Sequence, residues 1–170
     1  MKTFLIAAMT ADGFIARDET QTSLEWTSPE DKKLYVAATK EAGVMVMGSH
    51  TFDTIGRGLP GRKTVLYTSR PADYAGIEGV ETTDEEPAAL LRRLAAEGYE
   101  QVAICGGAVV YWTFVAAGVV DEIRLTVEPV LFGHGIKLFD GPLDAKLKLR
   151  EVKHLNENSL QLIYSVDNDT

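Results

Sequence analysis

The chain has one cysteine, Cys105, in 170 residues, so no internal disulfide can form and a reducing, cytoplasmic setting is expected. Long apolar runs are missing as well. The longest, such as 4–9 and 103–105, fall far short of the roughly 18–20 residues that a membrane helix needs. Asp12, Arg17, Asp18 and Glu19 also interrupt any secretion-signal pattern near the N-terminus. Positive charge is the minority sign: 17 Lys and Arg stand against 25 Asp and Glu, a net charge of −8. Such a surface repels nucleic acid, and no basic patch offsets it, so neither nucleic acid nor membrane is an expected partner. Histidines are few, and His134 and His154 lack metal-ligand spacing with each other or with Cys105, so no metal site is expected. The dinucleotide fingerprint G-x-G-x-x-G is absent, and no nucleophile sits beside a base in the manner of covalent catalysis.

What is present is an ordinary globular composition, 45% hydrophobic and 25% charged, suited to a single domain over residues 1–170. Residues 3–9 form an apolar run too short for a helix and read as a strand buried on both faces. Ser28, Pro29, Glu30 and Asp31 then open a helix reaching about Ala42, with Ser28 as N-cap, Pro29 at the first position and Asp31 completing a capping box. Strands are expected over 44–47, 64–68, 80–82, 101–105 and 122–130. Helical segments are expected over 50–55, 85–97 and 108–117. Pro129 marks a strand end or an exposed edge. Residues 147–154 and 160–166 alternate like a hairpin around Asn156, Glu157 and Asn158. The order predicts a three-layer α/β/α fold with a mixed, mostly parallel sheet of about eight strands and a C-terminal antiparallel hairpin.

Three of these strands end in residues suited to a ligand. The first runs into Gly48, Ser49, His50 and Thr51, the second into Thr68, Ser69 and Arg70, the third into Gly106 and Gly107. Ligands of open α/β sheets lie outside the carboxyl ends of the strands. Two of the junctions open helices, whose first N–H groups favour phosphate. Two hydroxyls and an arginine suit a ribose phosphate. By themselves these features fit a nucleotide site and fit ordinary tight turns equally.

The ordered set is more specific than its members. Residues 46–63, the strand and loop around Ile6 to Ala16, the W-x-x-P-x-D run from Trp26 to Asp31, and Ile104-Cys105-Gly106-Gly107 with Tyr111 and Phe114 resemble dihydrofolate reductases. Residues 118–123, 128–136 and 138–139 are similar instead to the reductase domain of the bifunctional riboflavin-biosynthesis deaminase/reductase. The chain is thus identified as a stand-alone member of the dihydrofolate-reductase-like superfamily.

That resemblance implies NADPH as cofactor. Ala8, Ile15 and Ala16 would border the nicotinamide, and Gly48, Ser49, His50 and Thr51 would hold phosphates. Thr68, Ser69 and Arg70 would take the adenosine side with its 2′-phosphate. Gly106, Gly107, Ala108, Val109 and Val110 would receive the pyrophosphate, with Tyr111 beside the nicotinamide. Ser49 departs from the pattern, since many members carry a basic residue there; Arg70 is the cation that would compensate. Asp31 would be the catalytic carboxylate, hydrogen-bonded to Thr126. Ile6, Trp26, Tyr35 and Arg62 would contact the substrate, and Glu128 is a second acid to consider. The substrate implied is a pyrimidine or pteridine, foremost the 5-amino-6-(5-phosphoribosylamino)uracil of riboflavin biosynthesis, with dihydrofolate as alternative. A homodimer through the C-terminal strands is also implied; residues 130–139, rich in Leu and Phe, serve that role or pack internally. Two other readings stay open: a non-catalytic nucleotide-binding protein, and a structural homo-oligomeric module.

Overall fold

Strand β1 (Lys2–Thr10) is apolar through its centre because both its faces are covered. Phe4 and Ile6 point into one apolar cluster and Leu5 and Ala7 into another, the period-2 alternation of a strand inside a sandwich of helices. The computed structural model describes residues 1–167, so the last three residues of the expected domain lie outside the described ones. After β1 come β2 (Phe14–Ala16), α1 (Pro29–Ala42), β3 (Val44–Gly48), α2 (Ser49–Ile55), β4 (Lys63–Tyr67), β5 (Val80–Thr83) and α3 (Pro87–Ala96). There follow β6 (Gln101–Ile104), α4 (Ala108–Ala116), β7 (Glu122–Glu128), β8 (Ile136–Lys137), β9 (Lys146–His154) and β10 (Leu160–Asp167).

Eight of the strands form one sheet in the order β5-β4-β3-β6-β1-β7-β10-β9. The first six are mutually parallel, and β10 and β9 add an antiparallel pair at the far edge. Ala38 and Ala42 of α1 and Phe52 of α2 join the cluster on one face, while Leu90, Leu91 and Leu94 of α3 and Phe114 and Val115 of α4 join that on the other. The expected three-layer architecture is therefore the observed one.

Two of the boundary shifts have visible causes or consequences. Helix α3 begins at Pro87 rather than at Glu85, because the Glu85 backbone N–H donates to Thr83 Oγ1 at 3.1 Å and its carboxylate is drawn to Arg93. Strand β7 stops at Glu128, so Pro129 marks an end and not an edge; β7 lies inside the sheet between β1 and β10. The sheet's edges are β5 and β9, and on β9 Leu147, Leu149 and Val152 stand exposed.

The two-residue and three-residue strands β8 and β2 were not legible, being too short to show a period. They pair through Phe14 with Lys137 and Ala16 with Ile136, as a small second sheet. Asp12 fastens the chain nearby: its carboxylate accepts from the Gly133 N–H at 2.7 Å, from the Phe132 N–H and from Thr10 Oγ1 at 2.6 Å. The Thr10 hydrogen bond is the main reason its pKa lies below the usual carboxylate range. Phe132 is buried, with the Arg17 guanidinium 4.1 Å from its ring centre and Trp26 meeting it edge-on at 5.3 Å. Leu138 and Phe139 pack on the core, while Leu131 stays exposed.

Gly135 holds this small sheet together. Its φ is +148°, and a Cβ placed there would lie 2.3 Å from the Ala16 carbonyl oxygen, a backbone atom that no rotamer change can move. Gly135→Ala is expected to cost about 2 kcal/mol or more of stability. Urea or thermal unfolding checks this, and a melting curve superimposable on that of the wild type would contradict it.

Candidate active site

Where β6 stops, its neighbours go on. Leu5 of β1 and Val46 of β3 are both level with Ile104, yet β1 continues to Thr10 and β3 to Gly48. A crevice opens above β6 at the carboxyl ends of the parallel strands. The connections leave it on both sides, outward through β3, β4 and β5 and back over β1 to β7. That is the place where open α/β sheets hold ligands. Its volume is about 1460 Å³. Ordinary small-molecule pockets measure about 300–1,000 Å³, so there is room for two molecules side by side.

One wall is glycine. Gly106 and Gly107 join β6 to α4 through a cis peptide bond, and the Gly48 N–H donates to the Gly106 carbonyl at 2.7 Å. A Cβ on Gly48 would come within 3.1 Å of Val110, and one on Gly107 within 3.1 Å of Thr51 Oγ1. The three glycines thus let two strand ends and two helix starts meet backbone to backbone. No side chain caps α4 at Gly107, so the first N–H groups of this nine-residue helix face the crevice, as an anion requires.

The rest of the lining draws on β1, β2, α1, the loop before β4, the end of β6 and α4. Ile6, Ala8, Ile15, Ala16, Asp31, Tyr35, Arg62, Cys105 and Tyr111 belong to it. Asp31 does not close the capping box. Ser28 Oγ caps the helix by accepting from the Asp31 N–H at 3.2 Å, but the reciprocal bond, from the Ser28 N–H at 2.8 Å, goes to Glu128 of β7. Glu128 is buried and is held further by the Ser159 hydroxyl. A carboxylate from a distant strand has taken the capping task, and the Asp31 side chain is left facing the crevice.

Burial is the main influence on Asp31, raising its carboxyl above the ordinary carboxylate range. The Thr126 hydroxyl beside it pulls the other way, and the Glu128 charge adds to the rise. Thr126 is itself fully buried behind Asp31. No hydrogen bond of normal geometry joins the two, so Thr126 acts as a close dipole rather than a bonded partner.

Two phenols, a thiol and a guanidinium line the crevice with this carboxyl. The Tyr111 hydroxyl, its pKa pushed well above the usual value by burial, donates to the Ile6 carbonyl at 2.8 Å. Tyr35 is raised for the same reason, with Cys105 next in effect. The Cys105 thiol is pushed up to about 12 by burial, which leaves it protonated and without a nucleophilic role. Arg62 Nη1 donates to the Val36 carbonyl at 3.3 Å, and its Nε is buried without a partner among the described residues.

The structure brings most of the expected residues together and sets three apart, among them Thr126, which is fully buried behind Asp31 and does not line the crevice. Gly48, Ser49, His50, Thr51, Thr68, Ser69, Gly106, Gly107, Ala108, Val109 and Val110 line the same crevice as Asp31. Arg70 does not; its guanidinium turns to Asp73 at 3.1 Å. Trp26 does not either. It packs on Phe132 and lines a shallower recess with Ser28, Glu128 and Ser159. Residues that sequence reading passed over include Tyr67, Thr83 and Asp84. The signal that would have found Thr83 and Asp84 is the same strand-end rule, applied to β5.

Among the described residues no group of three or more His, Cys, Asp or Glu is placed to hold a metal ion, and no helix is long and apolar enough to cross a membrane.

The RibD C-terminal domain family matches residues 58–160. The dihydrofolate reductase HdrB of Haloferax volcanii is 38% identical over 123 residues, which are 68% of this chain and 61% of that protein. The chain therefore spans less than two thirds of that relative. Among solved structures, a putative riboflavin biosynthesis protein from Shewanella sp. PV-4 superposes with a TM-score of 0.80 at 21% identity, covering 98% of this chain and 99% of that one. Dihydrofolate reductase from Enterococcus faecalis, complexed with NADP(H) and RAB-propyl, superposes with a TM-score of 0.69 at 26% identity, covering 98% and 96%.

Proposed function

Because the chain belongs to the RibD C-terminal domain family, we propose that it is a reductase that uses a nicotinamide dinucleotide to reduce a pyrimidine- or pteridine-type heterocycle. The observation that carries this reading is Asp31, a half-buried carboxyl released from its capping task, in the same crevice as the Gly48 and Gly106–Gly107 backbone cradle.

The residues present fit such a carrier. The cradle is open to a pyrophosphate because Cβ atoms are missing where phosphate oxygens need the backbone N–H groups. Ala8, Ile15, Ala16 and Tyr111 leave a flat apolar slot beside it for a planar ring. From β7 to β5 the rim spans five strand spacings, about 24 Å at about 4.8 Å each, enough for an extended dinucleotide with a heterocycle at one end. When bound in reduced form, the carrier supplies a hydride to a substrate carbon.

The protein must then manage one proton. The nitrogen of the reduced C=N bond, in a pteridine ring or in the opened ribosylamino group of an aminopyrimidine, gains it, and Asp31 is the half-buried carboxyl of the inner wall that would hold it there. Its raised pKa keeps a larger protonated fraction than a solvated carboxyl has. Tyr35 and Arg62 contact the outer part of the substrate, Arg62 meeting an anionic substituent such as a ribose phosphate. Ile6 completes the floor, with Thr126 buried behind Asp31.

The foremost substrate is a ribosylaminopyrimidine of the riboflavin-pathway kind, which the family favours. Dihydrofolate is the second reading, favoured by the HdrB relative and by Arg62 at the crevice. Each is offered with reduced carrier while nicotinamide absorbance is followed. Oxidation with the aminopyrimidine alone supports the first, and with dihydrofolate alone the second. Carrier binding without oxidation across pterins, pyrimidines and quinones supports a non-catalytic binder. A homodimer through β9 would cover Leu147, Leu149 and Val152, which are 43%, 51% and 45% exposed. The free, buried Cys105 suits the cytoplasm.

Falling activity is expected as pH rises through the Asp31 pKa, because its protonated form is the productive one. That limb lies above the ordinary carboxylate value of 3.8. A pH–rate profile without such a limb in the wild type, or with the limb intact in Asp31→Asn, contradicts the assignment.

A further inference from the structure

Beyond β3 the crevice runs to the carboxyl ends of β4 and β5, where Tyr67, Thr68, Ser69, Thr83 and Asp84 line it. The titratable groups of this end are a phenol and a carboxylate. Arg70 is the nearest cation in sequence, but its guanidinium pairs with Asp73 at 3.1 Å and reaches the Tyr74 hydroxyl at 3.4 Å. Two further cations of this side of the sheet are likewise engaged, Lys63 at the distant amino end of β4 and Arg93 on α3. Lys63 lies between Glu81 at 2.5 Å and Glu97 at 2.9 Å. Arg93 is shared by Glu81, Glu85 and Glu97 at 2.5–2.7 Å. At the end of β3, Ser49 is uncharged, and His50 is exposed with Glu19 3.9 Å away.

Asp84 is exposed and forms no ion pair or hydrogen bond among the described residues, so its carboxylate is available to a ligand. The local field is negative. Tyr67 carries its reading: burial first, then the charges of Glu85, Glu86 and Asp84, push its hydroxyl up to about 12.

A 2′-phosphate on the adenosine ribose brings about −1.5 to −2 charges at neutral pH. Here it would meet a carboxylate and no free cation. A ribose with free hydroxyls meets the opposite situation, since a carboxylate accepts from a hydroxyl donor without loss. Taking the crevice as a nicotinamide dinucleotide site, we propose that its β4–β5 end is built for an unphosphorylated adenosine ribose, with Asp84 accepting from the 2′-hydroxyl, so that NADH is preferred to NADPH. Thr68 and Ser69 keep their expected place on the adenosine side, and Arg70 does not serve a 2′-phosphate.

Titration of the full chain with NADH and with NADPH, read by nicotinamide fluorescence and by thermal shift, tests this without turnover. Wild type is expected to bind NADH about tenfold or more tightly than NADPH. Asp84→Asn should narrow that gap and Asp84→Lys reverse it, mainly through tighter NADPH binding; the position is exposed, so both variants should melt like the wild type. Equal or tighter NADPH binding by wild type overturns the inference, as does an unchanged ratio in Asp84→Lys. Failure of both carriers to bind is a separate result: it overturns the dinucleotide reading itself, and this inference with it.

Discussion

Asp31→Asn is expected to lower kcat by about a hundredfold to ten-thousandfold, the range that a positioned acid contributes, and to leave carrier affinity unchanged. The reason is geometric before it is electrostatic. Asp31 occupies the third position of α1, where a carboxylate normally reaches back to the cap. Here that bond is made by Glu128, whose second oxygen is taken by Ser159, so Asp31 is not needed to start the helix. A folding defect is therefore not the expected cause of lost turnover.

Stability should move the other way. A carboxyl whose pKa is raised on folding favours the unfolded state once pH passes its unfolded value, because the unfolded chain releases the proton more readily. The penalty grows between the unfolded and the folded pKa and is constant above the latter. Asparagine removes it, so Asp31→Asn should melt higher than wild type near neutral pH and equally at low pH. Lower melting together with lower activity would instead mark Asp31 as structural. The pair of readouts separates a catalytic carboxyl from a cap.

The second large effect is at the cradle. Gly106→Ala should weaken carrier binding by about tenfold or more and cost about 1–3 kcal/mol of stability. Its φ is +105°, which L side chains rarely adopt, and a Cβ there would lie 3.1–3.3 Å from the Tyr111 hydroxyl and ring. Tyr111 would have to give by a few tenths of an ångström, straining its hydrogen bond to the Ile6 carbonyl and shifting the lining beside the cradle. Gly118→Ala is the control: φ is +65°, nothing lies within 4 Å of its Cβ, and it sits at the far end of α4. That variant should lose stability alone. Calorimetric titration and melting of both variants check the contrast, and normal carrier affinity in Gly106→Ala would remove the glycine wall from the site.

Much of this was legible in the chain, for identifiable reasons. The buried parallel strands show as short apolar runs between turns, and Ser28-Pro29 and Gly43 bracket α1 by local chemistry alone. Gly48 and the Gly106–Gly107 pair mark the rim of the crevice because close backbone approach leaves glycine in the sequence. What stayed hidden depends on distant partners. The capping role of Glu128 needs β7 beside α1, 100 residues apart in sequence. Trp26 looks like a pocket wall until Phe132 folds back on it through Asp12 and the small β2–β8 sheet. Arg70 suits a phosphate by type, but Asp73 and Tyr74, on the turn that follows it, engage it first. Asp84 reads as one acid among three until β5 is seen to end at the crevice.

The most direct test is a crystal structure grown with reduced carrier. The account predicts the pyrophosphate against the N–H groups at the start of α4, the nicotinamide between Tyr111 and Ala8, and the Asp31 carboxyl facing the remaining space. Density for the carrier on another surface, or a nicotinamide ring separated from Asp31 by the sheet, would contradict it.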